Sequence, residues 1–172
     1  MAGKERHTIY CWDMISERLR IYLASSEKGA VKVGLLLDKG PDCPAFFKGV
    51  FPGELLVEDE EMNAGLKKAV EEALSGKTLS DELKLDISHT TFQMKVWKAI
   101  QKIPCGETRT YGEVAEMAGC PGGARAIGQT MHRNHLPVIF PCHRVVAAHG
   151  IGGFSGGLQL KEYLLNREKT GL

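Results

Sequence analysis

Over the first forty residues the apolar positions fall in short, partly β-branched blocks, at residues 8–13, 18–24 and 30–37, parted by polar turns of which the second is Glu27-Lys28-Gly29. Blocks of that length bounded by turn residues predict three strands in an antiparallel meander. Gly40-Pro41-Asp42 and Phe51-Pro52-Gly53 mark irregular connections. From Glu60 the period changes: Met62, Leu66, Val70 and Leu74 recur every four residues between charges, which predicts an amphipathic helix ending near Gly76. Residues 78–88 read as a linker with one short strand at 83–87.

The second half is patterned for helices. Thr90 or Thr91 offers an N-cap for a helix whose inward face is Phe92, Val96, Trp97 and Ile100, and Pro104-Cys105-Gly106 stops it. Residues 111–118 then form a short helix, Gly119-Cys120-Pro121-Gly122 a turn, and residues 123 to about 133 a second helix, the outline of a helix-turn-helix. On that second helix Ile127 and Met131 make a buried edge. Arg125, Gln129 and Arg133 fall at four-residue steps on another face, with the small residues Ala124 and Gly128 alongside. Such a face suits a nucleic-acid groove, with phosphates met by the arginines and the helix N-terminus; a solvated helix face would look the same. Residues 136–140 are short, apolar and β-branched and predict a buried strand that delivers Cys142 at its end. A glycine-dense loop follows, with Phe154-Ser155 embedded in it, able to clamp a flat polar ligand. No Gly-Lys-Ser/Thr follows it, which argues against a phosphate loop. The last helix, residues 158–168, turns Leu160, Leu164 and Leu165 inward and ends at Glu168. The expected fold is α+β: a small N-terminal domain of antiparallel sheet plus helix over residues 1–82, then a mostly helical C-terminal domain with the helix-turn-helix over residues 83–172.

Composition adds little to this, and charge adds more. A chain of 172 residues with 43% hydrophobic and 25% charged residues is ordinary for a globular protein. No apolar run approaches the roughly 20 residues of a membrane span, and no signal-type core follows Lys4, Glu5 and Arg6, so a cytoplasmic protein without membrane partners is expected. Residues 1–91 carry 12 basic and 16 acidic side chains and residues 92–172 carry 10 and 5, so a polyanion would meet the C-terminal half. The five cysteines are odd in number and scattered, unlike a disulfide framework, and no Cys-x-x-Cys pair suggests zinc. No metal or cofactor is expected.

The chemistry gathers at Pro141-Cys142-His143-Arg144-Val145, which sets a thiol, an imidazole and a guanidinium side by side. A free cysteine of pKa about 8.5 is only slightly ionised at neutral pH and needs a base or a positive field, which His143 and Arg144 could supply. On an extended chain neighbouring side chains point to opposite faces, so either the backbone turns there or a water relays the proton.

These residues do not stand alone. In order and spacing, Phe92-x-x-x-Val96-Trp97, Ile103-Pro104-Cys105-Gly106, Thr110-Tyr111-Gly112, Ala124-Arg125-Ala126-Ile127-Gly128, Asn134, the Cys142 pentapeptide and Ser155-Gly156-Gly157 before Lys161-Glu162 resemble the O6-alkylguanine-DNA alkyltransferases over residues 91–168. The first ninety residues resemble only that family's variable N-terminal domain.

The resemblance implies DNA repair by direct, stoichiometric and irreversible transfer of an alkyl group from O6-alkylguanine in duplex DNA to a cysteine, with the base flipped out; O4-alkylthymine stays open as a further substrate. It implies that Cys142 is the acceptor, His143 its base through a water, and Glu168 the carboxylate that orients His143. Asn134 would bridge the recognition helix to the active-site strand. Tyr111 would rotate the target phosphate and protonate the leaving guanine, and Arg125 would fill the gap left by the extruded nucleotide. Met131, Pro137, Val145, Phe154 and Ser155 would build the pocket. Thr110, Tyr111, Ala124, Arg125, Ala126, Gly128, Gln129 and Arg133 would meet DNA, and the protein would act as a monomer.

Two positions depart from the family: Phe154 stands where tyrosine is common, and His135 where proline is frequent. A cysteine hydrolase built on Cys142, His143 and Glu168 is a rival, but it leaves the basic helix idle. A pure binding module is another; relatives that only mark lesions lack the acceptor thiol, which this chain retains.

Overall fold

The protein is described by a computed structural model that covers residues 7–77 and 82–171. Lys4, Glu5 and Arg6, and the first part of the expected linker, residues 78–81, lie outside the described residues. Two compact units separate: one holds the chain up to Ala69 and a stretch ending at Ile87, the other begins at Val70 and resumes at Ser88. The chain thus passes between them more than once, not at a single cut after residue 82.

In the first unit the meander forms as β1 (Thr8–Ser16), β2 (Leu19–Ser26) and β3 (Gly29–Leu37), each a little longer than its apolar block. β2 is central, and Leu19, Ile21, Tyr22, Leu23 and Ala24 are all fully buried, the pattern of a strand covered on both faces. Two elements went unread in the sequence. Gly40-Pro41-Asp42 was expected only as an irregular connection, but Asp42 is an N-cap: its carboxylate accepts from Ala45 N at 2.8 Å and starts α1 (Cys43–Lys48). β4 (Leu55–Glu58) then joins the sheet beside β1 in parallel, giving the order β3-β2-β1-β4. The core gathers Ile9, Cys11, Tyr22, Ala24, Cys43 and Phe47. The expected strand at 83–87 is reduced to a single bridge between Ala30 and Leu85.

α2 (Ala64–Leu74) starts later than the four-residue repeat suggested. Its buried residues are Leu66, Ala69, Val70 and Ala73, while Met62 lies before the helix and is 37% exposed.

The second unit is largely helical. α3 (Thr91–Gln101) opens with a capping box in which Thr90 Oγ1 accepts from Gln93 N at 3.1 Å and Gln93 Oε1 accepts from Thr90 N at 2.8 Å. Gln93 therefore turns inward, and Phe92, expected there, is 37% exposed. Thr90→Ala removes the box and should lose about 1 kcal/mol, seen as a melting temperature lower by about 2–4 °C; an unchanged melt would show that the box contributes nothing.

Trp97 stacks on Phe140, centroids 5.4 Å apart, and its Nε1 donates to Thr130 O at 3.3 Å. α4 (Tyr111–Met117) is capped by Thr110, and α5 (Ala124–His132) follows a turn in which Gly119 and Gly122 adopt positive φ, so the helix-turn-helix forms as read. The short strands β5 (Arg109–Thr110) and β6 (Val145–Val146) pair in parallel. α6 (Leu158–Thr170) buries Leu160, Leu164 and Leu165 and continues past Glu168.

Residues 136–140 do not form the expected strand. They fold as a tight turn closed by Phe140 N on Leu136 O at 2.9 Å, with Val138 at φ 76. A β-branched residue in that region is strained. Side chains hold the turn: Asn134 Oδ1 accepts from Leu136 N at 3.0 Å, and Gln101 Nε2 donates to Ile139 O at 3.2 Å.

Candidate active site

Cys142 opens a 3-10 turn, Cys142–Arg144, instead of ending a strand. Its N–H donates to Phe140 O at 2.7 Å, and Arg144 N donates to Pro141 O at 3.0 Å. With about three residues per turn, successive side chains diverge by about a third of a revolution, so the alternation of an extended chain does not apply. The backbone itself turns.

Asn134, just beyond α5, ties that helix to this turn. Its Nδ2 donates to Phe140 O at 2.7 Å and to Cys142 Sγ at 3.1 Å. Burial pushes the Cys142 thiol up, against the Asn134 hydrogen bond and the charge of Lys161, which favour the thiolate. The resting group is the neutral thiol.

His143 is buried and turned the other way, with Nε2 2.6 Å from Glu168 Oε1. Arg144 does not lend its charge to the thiol as the sequence suggested. Its Nε and Nη2 grip the Glu168 carboxylate at 2.9 to 3.0 Å, and its Nη1 donates to Ile103 O at 2.7 Å. Gly106 N donates to Glu168 Oε2 at 3.0 Å. Burial alone would raise the Glu168 carboxyl, but the hydrogen bonds from His143 and Arg144 outweigh it and hold it at about 2. Burial pulls the His143 imidazole down further than Glu168 lifts it, so the ring is neutral. With a carboxylate on Nε2, that nitrogen carries the hydrogen and Nδ1 keeps its lone pair. Nδ1 is buried and has no hydrogen-bonding partner among the described residues.

Above the thiol lies a cavity of about 390 Å³ lined by Tyr111, Gly128, Met131, His132, Cys142, Gly153, Phe154 and Ser155. Met131, Phe154 and Ser155 were expected there. Val145 and Pro137 were too, but they are not among the lining residues: Val145 is fully buried with its carbonyl taken by Lys161, and Pro137 sits in the bridge with Phe140. Gly128, expected to meet DNA, lines the cavity too, as do His132 and Gly153, which were given no place in the pocket. Gly152, at φ 72, lets the loop close tightly, since a Cβ there would meet Ala147 N at 3.0 Å and the Tyr111 ring at 3.4 Å. Burial, then the nearby Cys142, raises the Tyr111 phenol, which stays a proton donor.

Arg125, Ala126 and Gln129 are exposed on α5 and Arg133 at its C-cap, with Ala124 and Gly128 half-buried and Ile127 and Met131 packed beneath. α5 begins at Gly123 without a side-chain cap. Thr110 is half-buried, its hydroxyl accepting from Glu113 N at 3.2 Å. No helix among the described residues is long and apolar enough to cross a membrane.

A family model described as 6-O-methylguanine DNA methyltransferase, DNA binding domain, matches residues 91–170. Over 153 residues the chain is 39% identical to a methylated-DNA--protein-cysteine methyltransferase of Methanosarcina mazei, covering 88% of this chain and 92% of that protein. The solved structure of Mycobacterium tuberculosis OGT in complex with DNA superposes with a TM-score of 0.71 at 31% identity, over 95% of this chain and 94% of that one. An O6-methylguanine DNA methyltransferase from Methanococcus jannaschii superposes at 0.63 with 26% identity, over 92% and 93% of the two chains.

Proposed function

The chain belongs to the methylated-DNA--protein-cysteine methyltransferase family, and on that premise we propose that Cys142 is the cysteine that takes an alkyl group from O6-alkylguanine in duplex DNA. The protein repairs DNA by direct transfer and binds DNA to do so. The observation that carries the assignment is a thiol at the wall of a base-sized cavity, followed in one turn by a neutral imidazole whose far nitrogen is fixed on a carboxylate.

His143 Nδ1 takes the thiol proton through one water, and Glu168 and Arg144 hold the imidazole in the tautomer that can accept it. The thiolate attacks the alkyl carbon from the side opposite O6; an S–C bond forms, the C–O6 bond breaks with its electron pair going to guanine, and the Tyr111 phenol supplies a proton to the base. The product is a thioether, which water does not readily cleave, so each molecule acts once. A base inside the stack cannot reach this cavity and is flipped out, at a cost of a few kcal/mol that is smaller for a weakly paired lesion. Met131, Phe154 and Ser155 hold the flipped base, and Arg125, Gln129, Arg133, the small residues of α5 and Thr110 meet the DNA. The protein works as a monomer in the reducing cytoplasm, where its acceptor thiol stays free.

The test is the intact mass of the protein after exposure to excess O6-methylguanine duplex. One methyl group per molecule, mapped to Cys142, is expected, with DNA affinity falling as salt rises because bound counterions are released. Repair of more than one lesion per protein molecule, or an unmodified Cys142 while lesions disappear, would overturn the reading.

A further inference from the structure

The sheet unit holds a cavity that alkyl transfer does not use, and its origin lies in the strand register. The antiparallel ladder of β1 and β2 runs from Ser16 opposite Leu19 to Tyr10 opposite Ser25 and stops there, although β1 begins two residues earlier at Thr8. Beyond that rung β2 turns away. Its pairing with β3 shifts at Ala24/Ser25, and Ser26 Oγ donates to Asp86 Oδ2 at 2.5 Å while accepting from Lys28 N at 3.1 Å. The start of β1 is left facing the β2–β3 turn across a cavity of about 530 Å³, a size usual for small-molecule sites. All of its lining belongs to the first unit.

Ile9, Val31 and Phe51 give this cavity apolar walls, and Glu54 and Asp86 line it as carboxylates. The two acids belong to opposite banks. Glu54 Oε2 accepts from His7 N at 2.7 Å, at the start of β1, whereas Asp86 is tied to Ser26 at the end of β2. Each is half-buried and pinned through one oxygen, and neither bonds a cationic side chain among the described residues. Taking an anion out of water without pairing it costs free energy, so fixed carboxylates beside apolar walls favour an occupant that brings positive charge. His7 and Lys28 also line the cavity, but both are exposed, and the Lys28 ammonium faces three carboxylates, those of Glu27, Glu54 and Asp86. No group of three or more His, Cys, Asp or Glu side chains placed to hold a metal ion occurs among the described residues. An organic cation needs less: charge at two points and an apolar middle.

We propose that this cavity binds a short aliphatic diamine, one ammonium end on Glu54 and the other on Asp86, with the methylene chain against Ile9, Val31 and Phe51. The hydrogen bonds already made take Glu54 Oε2 and Asp86 Oδ2, which leaves Glu54 Oε1 and Asp86 Oδ1 for the ligand. Because the folded cavity alone offers both carboxylates, the ligand stabilises the sheet unit as its concentration rises. The site shares no lining residue with the acceptor cavity, so its occupation leaves alkyl transfer to Cys142 unchanged.

The test is isothermal titration of the full chain with diaminobutane carrying an amine at each end, set beside butylamine and magnesium chloride at matched ionic strength. One diamine per chain is expected, bound about tenfold tighter than the monoamine because the second ammonium adds a charge-assisted contact. Glu54→Gln and Asp86→Asn each keep an oxygen for His7 N or Ser26 Oγ and remove one charge, so each should bind the diamine about tenfold more weakly. Lys28→Ala trims an exposed side chain, leaves folding intact and removes the competing ammonium, so binding should tighten about threefold. The absence of saturable heat, equal affinity for butylamine, full affinity in both amide variants, or no gain in Lys28→Ala would overturn the proposal. Magnesium binding that depends on the same two carboxylates would overturn it too, in favour of a metal site.

Discussion

Replacing Cys142 by alanine should leave the protein with no alkyl adduct after any exposure to O6-methylguanine duplex, while its affinity for that duplex stays within about twofold, a change of under 0.5 kcal/mol. The loss is total instead of partial because no second cysteine lines the cavity among the described residues. Its remaining hydroxyls are the Ser155 alcohol and the Tyr111 phenol, both protonated at neutral pH, the phenol held so by burial. Cys11 and Cys43 are buried in the sheet unit, and Cys105 and Cys120 do not line the cavity. DNA contact is assigned to the exposed face of α5 and to Thr110 and Tyr111, none of which depends on the sulfur. Asn134 loses one acceptor but keeps Phe140 O and Leu136 N, so the turn loses about 1 kcal/mol and stays folded. Transfer at the unaltered rate by Cys142→Ala would defeat the assignment, and so would an adduct on any other residue.

The parts of this fold that were legible are those in which one local rule decides. The three-strand meander followed from apolar blocks and polar turns, and the helix-turn-helix from two short helices around glycines that need positive φ at positions 119 and 122. Where side-chain hydrogen bonds reorganise the backbone, composition misled. Val138 and Ile139 have strand-type side chains, yet Asn134 and Gln101 hold their segment as a turn. Asp42 hid a helix start inside what looked like a loop. β4 could not be seen at all, because its pairing with β1 is a long-range, parallel contact that four residues do not announce.

The site divided in the same way. Cys142 and His143 were readable as neighbours, and the resemblance supplied Glu168, 25 residues away on another element. The role of Arg144 was misread because sequence adjacency to a thiol says nothing of where a long side chain finds its carboxylate.

The second large effect is expected at Arg125. Its side chain lies on the exposed face of α5 and does not line the acceptor cavity. If it fills the space left by the extruded nucleotide, its benefit appears only when a base has been drawn from a duplex. That unstacking costs a few kcal/mol. Losing roughly 2–3 kcal/mol of compensation would slow duplex repair by about 30–150-fold in Arg125→Ala. Reaction with free O6-benzylguanine requires no extrusion and should stay within about twofold of the unaltered protein. A simple phosphate contact would behave differently, since raising the DNA concentration would restore the rate as the weakened binding is saturated. The discriminating measurement is therefore the single-turnover rate at saturating duplex set beside the free-base rate. A persistent loss on duplex alone identifies a residue that acts on the flipped state, whereas equal losses on both substrates would place the effect in the pocket and remove Arg125 from the extrusion step.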